Sequence, residues 1–331
     1  MSHVTTKQIA ERCGVSRITV DRALNGRPGL SEQKRQIIIK TAQEMGYRPH
    51  CLAQALVRGE SRSLGVVVFD LKNAFFAQLV DAFQKAAFGQ DYVTYVMLTN
   101  KDAALEKKCI EHLLSRQVDA IALDSAIADP EYPAYLGALG VPVLSMLNRI
   151  SSDIPLLGFD DRRAMYDMTN YVLSKGYRRL LYVCPPLAKA QVSNMDSLLR
   201  RKAGFEDAVR DSGVQAQVRV LGDKGYLSEI DEMDFRHGPK TAILCTSDIF
   251  AITIQGRLQR RGLRTPFDYG LTGFDGVPML HEFEPRISTL SLHIEALGRR
   301  SAQMLLDCLQ GKEMPLTTTL PYDILPGQTV L

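Results

Sequence analysis

The chain has 331 residues, 40 Lys and Arg against 37 Asp and Glu for a formal charge of +3, and 45% hydrophobic residues. Such a length exceeds what one hydrophobic core organises, so more than one folding unit is expected. No run of 18 apolar residues occurs and the first residues lack a basic-then-apolar export pattern, which points away from a membrane and toward the cytoplasm.

The first element in chain order is a helix capped by Thr5, with Gln8 three residues on completing a capping box. Gly14 supplies a left-handed turn, and Ser16 caps a second helix that runs to about Asn25. Val20, Ala23 and Leu24 must face the first helix, which leaves Arg17, Ile18, Asp21 and Arg22 on one outer face. A third helix opens at Ser31, buries a stripe of Ile37, Ile38, Ala42 and Met45, and stops at Gly46 before Pro49. Two short helices around a tight turn form the layout of a DNA-reading helix-turn-helix. Charge agrees: residues 1–62 hold 3 Lys and 8 Arg against 5 acidic residues, a balance of +6, whereas the remainder holds 29 basic and 32 acidic residues, or −3. A basic head on a slightly acidic body is the footprint of a phosphate-binding surface.

Residues 49–62 read as a hinge. The stretch from His50 to Arg58 is too short for a stable lone helix, but two copies packed on DNA could fold. Leu56 is then the apolar wedge that enters the minor groove; the alternative is that Leu52 and Leu56 pack against the core.

From Leu64 onward, β-branched apolar runs alternate with helical patterns, as in a parallel sheet covered on both faces. Strands are expected at 64–69, 92–98, 119–124, 141–146 and 155–159 in one lobe, and at 180–184, 216–221, 241–246 and 269–274 in a second, with a helix from Ser197 to Asp211 between two of them. The expected class is α/β: a three-helix head (1–48), a hinge (49–62) and a two-lobed core of doubly wound parallel sheets (63–331). Lobe 1 takes about 63–160 plus 292–318, and lobe 2 about 161–291 plus 319–331.

In such sheets a ligand lies beyond the carboxyl ends of the strands. The polar residues found there are Asp70, Asn73, Asp124, Ser125, Asn148, Arg149, Asp160, Asp248 and Asp275. Asp and Asn at these places either bind a polyhydroxylated ligand or cap the following helix, and for Asp70, Asp124 and Asp160 both readings stand.

The segments VTTKQIAERCGVSRITVDRALNG, MGYRPHCLAQALVRG, SLGVVVFDLKNAFFAQLV, LLRRKAGFEDAV, TAILCTSDIFAI, LTGFDGVPM and FEPRISTLSLHIEALGRRSAQMLL, in this order, resemble the LacI/GalR family of bacterial repressors. The resemblance implies a periplasmic-binding-protein-like core and a homodimeric repressor on double-stranded operator DNA. It implies DNA contact by Thr5, Ser16, Arg17, Ile18, Thr19, Arg22 and Asn25, with Leu56 as the wedge; His50 stands where the family commonly has Asn. It also implies a carbohydrate-like effector held by Asn73, Phe75, Arg201, Asp248 and Asp275, a set that strand-end position extends to Ser125, Arg149 and Asp160. Arg149 departs from the family, which more often has an acidic residue there. With Arg201 it would turn two guanidinium groups to the cleft and select a sugar acid or sugar phosphate; the alternative is that it faces solvent or pairs with Asp153.

No nucleotide-binding glycine motif or nucleophile elbow occurs, and the six histidines show no metal or triad spacing, so neither catalysis, a cofactor nor a metal is expected. Six scattered cysteines read as small buried hydrophobes. The rival readings are a solute-binding protein, which would need an export signal in place of the basic head, and a sugar-metabolising enzyme, which would turn its ligand over.

Overall fold

The computed structural model describes residues 4–47, 60–187, 193–221 and 225–331. The chain divides into two compact units, Met1–Ser61 and Arg62–Leu331. The expected hinge wedge Leu56, together with His50 and Leu52, lies outside the described residues.

In the first unit, α1 (Thr6–Cys13), α2 (Arg17–Leu24) and α3 (Glu32–Glu44) start where their caps require. The Thr5 amide donates to Gln8 Oε1 at 2.8 Å and the Gln8 amide to Thr5 Oγ1 at 3.4 Å, closing the capping box. Ser16 and Ser31 accept from the Thr19 and Lys34 amides. Each such cap contributes about 1 kcal/mol relative to alanine. Gly14, at φ 64°, ends α1 in the left-handed conformation that a side chain would oppose. Ile9, Ala10, Val20, Ala23, Ile38 and Ala42 form the small core. Ile37 does not join it: it is 61% exposed, because the inward face of α3 is set by Ile38 and Ala42 and a one-residue step turns a side chain about 100° away.

The second unit contains two parallel sheets. The first has the order β11-β5-β4-β3-β1-β2, from β1 (Ser63–Val68), β2 (Val93–Leu98), β3 (Ala120–Leu123), β4 (Val143–Met146), β5 (Leu156–Phe159) and β11 (Thr317–Leu320). One face is covered by α4 (Ala74–Phe88) and α11 (Ile294–Leu309); the other buries Val67, Ile121 and Leu123 against Ile110 and Leu113 of α5 (Ala103–Ser115) and against Tyr132 and Leu136 of α6 (Tyr132–Gly137). Burial on both faces explains the unbroken apolar run of β1.

The second sheet has the order β7-β6-β8-β9, from β6 (Arg179–Val183), β7 (Gln217–Leu221), β8 (Thr241–Cys245) and β9 (Gly270–Thr272). Its helices include α7 (Asp161–Ser174), α8 (Asp196–Asp211), α9 (Tyr226–Asp231) and α10 (Asp248–Arg260). The chain passes between lobes after β5, between β10 (Thr289–Ser291) and α11, and between β11 and β12 (Asp323–Leu325). β10 and β12 pair antiparallel, and His293 Nε2 lies 2.8 Å from Asp323 Oδ2, tying the second and third passages together. Thr329 then bonds to Leu271 of β9 through both its carbonyl and its hydroxyl. Cys109, Cys184 and Cys245 are buried, and Cys13 and Cys308 partly so.

Two glycines permit the closest helix contacts. A Cβ on Gly204 of α8 would stand 1.9 Å from the Arg162 carbonyl oxygen of α7, and one on Gly298 of α11 would stand 2.3 Å from the Leu79 oxygen of α4. Backbone has no rotamer with which to yield. Gly204→Ala and Gly298→Ala are therefore expected to destabilise the core by about 1–3 kcal/mol or more despite better helix propensity. Urea unfolding followed by tyrosine fluorescence checks this; a midpoint at or above that of the parent chain contradicts the packing described.

Candidate DNA-reading helix and effector cleft

On α2, Ile18 is 66% exposed and Arg17 and Arg22 are exposed as well, so this face is free of the head's own core. Arg17 Nε donates to Thr6 Oγ1 at 3.1 Å, which draws the guanidinium from α2 toward the start of α1. The polar neighbours hold the frame: Thr5 and Ser16 are caps, Thr19 Oγ1 is 2.9 Å from Ser16 Oγ, and Asn25 Nδ2 donates to the Asp21 carboxylate at 2.8 Å. Asp21 also pairs with Arg27, which neutralises the one acid on this face.

In the core a cleft of about 730 Å³ opens between the lobes. Of the residues expected from sequence, Asn73, Phe75, Arg201 and Asp275 line it, as do the strand-end residues Asp70, Asp124 and Asn148. Asn73 caps α4 by accepting from the Phe75 amide at 3.1 Å and lines the cleft beside it. Phe75 is buried edge-on to Phe76. Arg201 is only 8% exposed: Nε donates to Asp161 at 2.7 Å, Nη1 to the Thr246 carbonyl at 2.7 Å, and the guanidinium lies 3.8 Å above the Phe274 ring. Asp275 faces it on a backbone with φ 136°, accepting from Ser247 Oγ at 2.7 Å. Burial, reinforced by the adjacent Asp248 charge, pushes the Asp275 carboxyl up to about 8.

Asp124 is only partly satisfied. It is 1% exposed, its Oδ1 accepts from Asn148 Nδ2 at 2.8 Å, and its Oδ2 has no partner among the described residues. Burial pushes this carboxyl up to about 8 even though Lys101 and Arg201 oppose the shift. Asn148 in turn accepts at Oδ1 from the amide and hydroxyl of Ser197, at 3.1 and 2.9 Å, linking lobe 1 to the start of α8.

Four expected contacts are placed elsewhere. Ser125 donates to buried Glu106 at 2.6 Å, and Glu106 also accepts from Tyr132 and the Ala126 amide, so the hydroxyl belongs to the packing under β3. Asp248 is wholly buried, accepting from the Gly276 and Val277 amides and from Thr289; it holds the turn after β9. Asp160 caps α7 by accepting from the Arg163 amide and pairs with Arg200. Arg149 points out of the cleft: Nη2 donates to Thr317 at 2.9 Å and Nη1 to the Ser151 carbonyl, and it lines a separate small recess with Asp160 and Arg200. The left-handed Leu147, at φ 65°, precedes Asn148 and Arg149, of which only Asn148 lines the cleft. Cleft residues that sequence reasoning passed over include Lys72, Lys101, Phe69 and Phe250. Lys101 was accessible to the strand-end rule, because it follows β2.

Residues 5–50 match the family described as bacterial regulatory proteins, lacI family, and residues 61–325 match periplasmic binding proteins and sugar binding domain of LacI family. The HTH-type transcriptional regulator GntR of Escherichia coli (strain K12) is 26% identical over 330 residues, covering 98% of each chain. The HTH-type transcriptional repressor CytR of the same strain is 25% identical over 324 residues, covering 94% of this chain and 91% of the relative. In fold, the lac repressor dimer bound to operator and the anti-inducer ONPF superposes with a TM-score of 0.86 at 22% identity, covering 100% of both chains. With both family descriptions matched in order across most of its length, the chain belongs to the LacI family of bacterial regulatory proteins.

Proposed function

We propose that the protein is a homodimeric repressor that binds double-stranded operator DNA through α2 and answers to a small carbohydrate-derived effector held between the lobes of its core. The observation that carries the effector half is the cleft itself, to which one lobe brings Asn73 and Asp124 and the other Arg201 and Asp275. A ligand bonded to both sides changes the relative stability of lobe arrangements, and DNA binding feels that change through reciprocal coupling. Aromatic, amide and carboxyl groups together suit a polyol. The family of regulators supports binding and release as the protein's work in preference to turnover, and the cytoplasm as its place, where its DNA partner lies. No helix among the described residues is long and apolar enough to cross a membrane.

For DNA, Arg17, Ile18 and Arg22 are the proposed base-reading groups, while Thr5, Ser16, Thr19 and Asn25 set helix position and offer phosphate contacts. A dimer is supported by apolar surface on the unpaired edge of the first sheet, where Val93 and Tyr95 of β2 lie exposed beside Phe88. Two-fold symmetry would seat the two heads on successive turns of a pseudo-palindromic site.

Arg22→Ala is expected to cost about 1–3 kcal/mol of operator affinity and to leave binding to random DNA nearly unchanged. Electrophoretic mobility shifts at one fixed salt concentration measure both, and an unaltered ratio removes Arg22 from base readout. Asp275→Asn keeps the side-chain shape and suits the unusual backbone, so operator binding should persist while the effector response is lost; titration of ligand into a preformed protein–DNA complex decides this. Sedimentation equilibrium at micromolar concentration is expected to give a dimer, and a monomer would refute the paired arrangement.

A further inference from the structure

Lys72 and Lys101 enter the cleft from the ends of β1 and β2, and neither forms an ion pair among the described residues. Lys101 Nζ stands 5.3 Å from the centroid of the Phe69 ring, another lining residue, so the cation is held over an apolar wall. Asn100 and Lys101 are consecutive non-glycine residues in the left-handed region, at φ 49° and 62°. Such paired strain persists where the surroundings require it, commonly at ligand-binding loops. Across from Lys101, Asp124 Oδ2 is buried and has no hydrogen-bond partner among the described residues.

The charge balance of the cleft follows from these placements. Arg201 is offset by Asp161 behind it. Asp124 and Asp275, each pushed up to about 8 by burial, are mainly neutral near pH 7. Asp70 remains, its Oδ1 accepting from the amides of Lys72 and Asn73. Among the groups that line the cleft, two lysines therefore face one carboxylate, while the Asp248 carboxylate lies behind the lining, held by the Gly276 and Val277 amides and Thr289. α4 adds the positive end of its dipole, since it begins at Ala74 immediately after Lys72 and Asn73. A cationic ligand would meet both lysines and the Arg201 guanidinium, whereas an anionic one would find in the exposed lysines a counter-charge at the mouth of the cleft.

Resting on the carbohydrate reading above, we infer that the effector is a polyhydroxylated anion whose carboxylate or phosphate is seated by Lys101 with help from Lys72, while its hydroxyls hydrogen-bond to the carboxyl groups of Asp124 and Asp275. The residues differ from the pair suggested by sequence, because Arg149 lies outside the cleft and Arg201 is committed to Asp161 and Thr246. Lys101 thus sets specificity by charge, and the two carboxyl groups set it by hydroxyl position.

Calorimetric titration of the full-length protein with matched hexose and pentose sets tests this, each set comprising the neutral aldose, its aldonate, its uronate and its terminal phosphate. One of the anionic forms is expected to bind at least about tenfold tighter than the neutral aldose of its set, the usual scale of a charge-assisted contact. Lys101→Met should remove that preference and Lys101→Arg should retain it, with the preference weakening as salt is raised. A neutral aldose binding as tightly as its anionic relatives, or a Lys101→Met protein that keeps the preference, overturns the assignment of charge and leaves the carbohydrate reading standing. Failure of every member of both sets to bind overturns the carbohydrate reading and this inference with it. Carboxylate and phosphate sources are separated by which member of the set binds.

Discussion

The core is organised around a cation taken out of water. Arg201 gives up most of its hydration at the floor of the cleft, and a buried guanidinium is tolerated only when charge, acceptors and a polarisable face replace the solvent it has lost. Asp161 at the start of α7, the Thr246 carbonyl after β8 and the Phe274 ring after β9 supply them. One side chain therefore fixes the mutual placement of four elements of lobe 2. Asp161 is itself buried, and burial raises its carboxyl against the pull of Arg201, so neither partner is tolerable without the other. Asp275 stands in the same low-dielectric floor, and burial there raises its carboxyl as well. The polar groups of the cleft are thus held in position before any ligand arrives, and little ordering cost remains for binding.

Much of this architecture was legible in the chain because its signals are local. Capping residues at Thr5, Ser16 and Ser31, the glycine turn at Gly14 and the long apolar strands each act over a few residues, and the folded head and first sheet begin where those signals lie. The strand-end rule found Asn73, Asp124 and Asp275 for the same reason. What escaped depends on orientation or on distant partners. Arg149 follows β4 as closely as Asn148 does, yet it reaches Thr317, a partner 168 positions away that periodicity could not supply. Ser125 was drawn inward by Glu106, a buried acid that the pattern of α5 gives no reason to single out. Ile37 illustrates the limit within a single helix, where adjacent isoleucines compete for one inward position and only tertiary contact decides between them.

The strands β10, β11 and β12 were missed for a different reason. They are three or four residues long, and β11 and β12 are partly exposed and flanked by Pro315, Pro321 and Pro326, so their composition reads as loop. Pairing with β5 in one case and with each other in the other makes them strands. Such elements owe their conformation to partners that are already folded.

That dependence has a consequence for the order in which the molecule is made. β11 supplies an edge strand to the first sheet and Thr329 closes hydrogen bonds onto β9, so both lobes wait for residues among the last 15 of the sequence. The head draws its core from Ile9 to Ala42 alone. On a ribosome elongating from the amino terminus, the basic head is complete while the body is still an unfinished chain with sheet edges open. For that interval the head can meet nucleic acid before the body can sense a ligand, because the cleft forms only once both lobes are closed by the final segment.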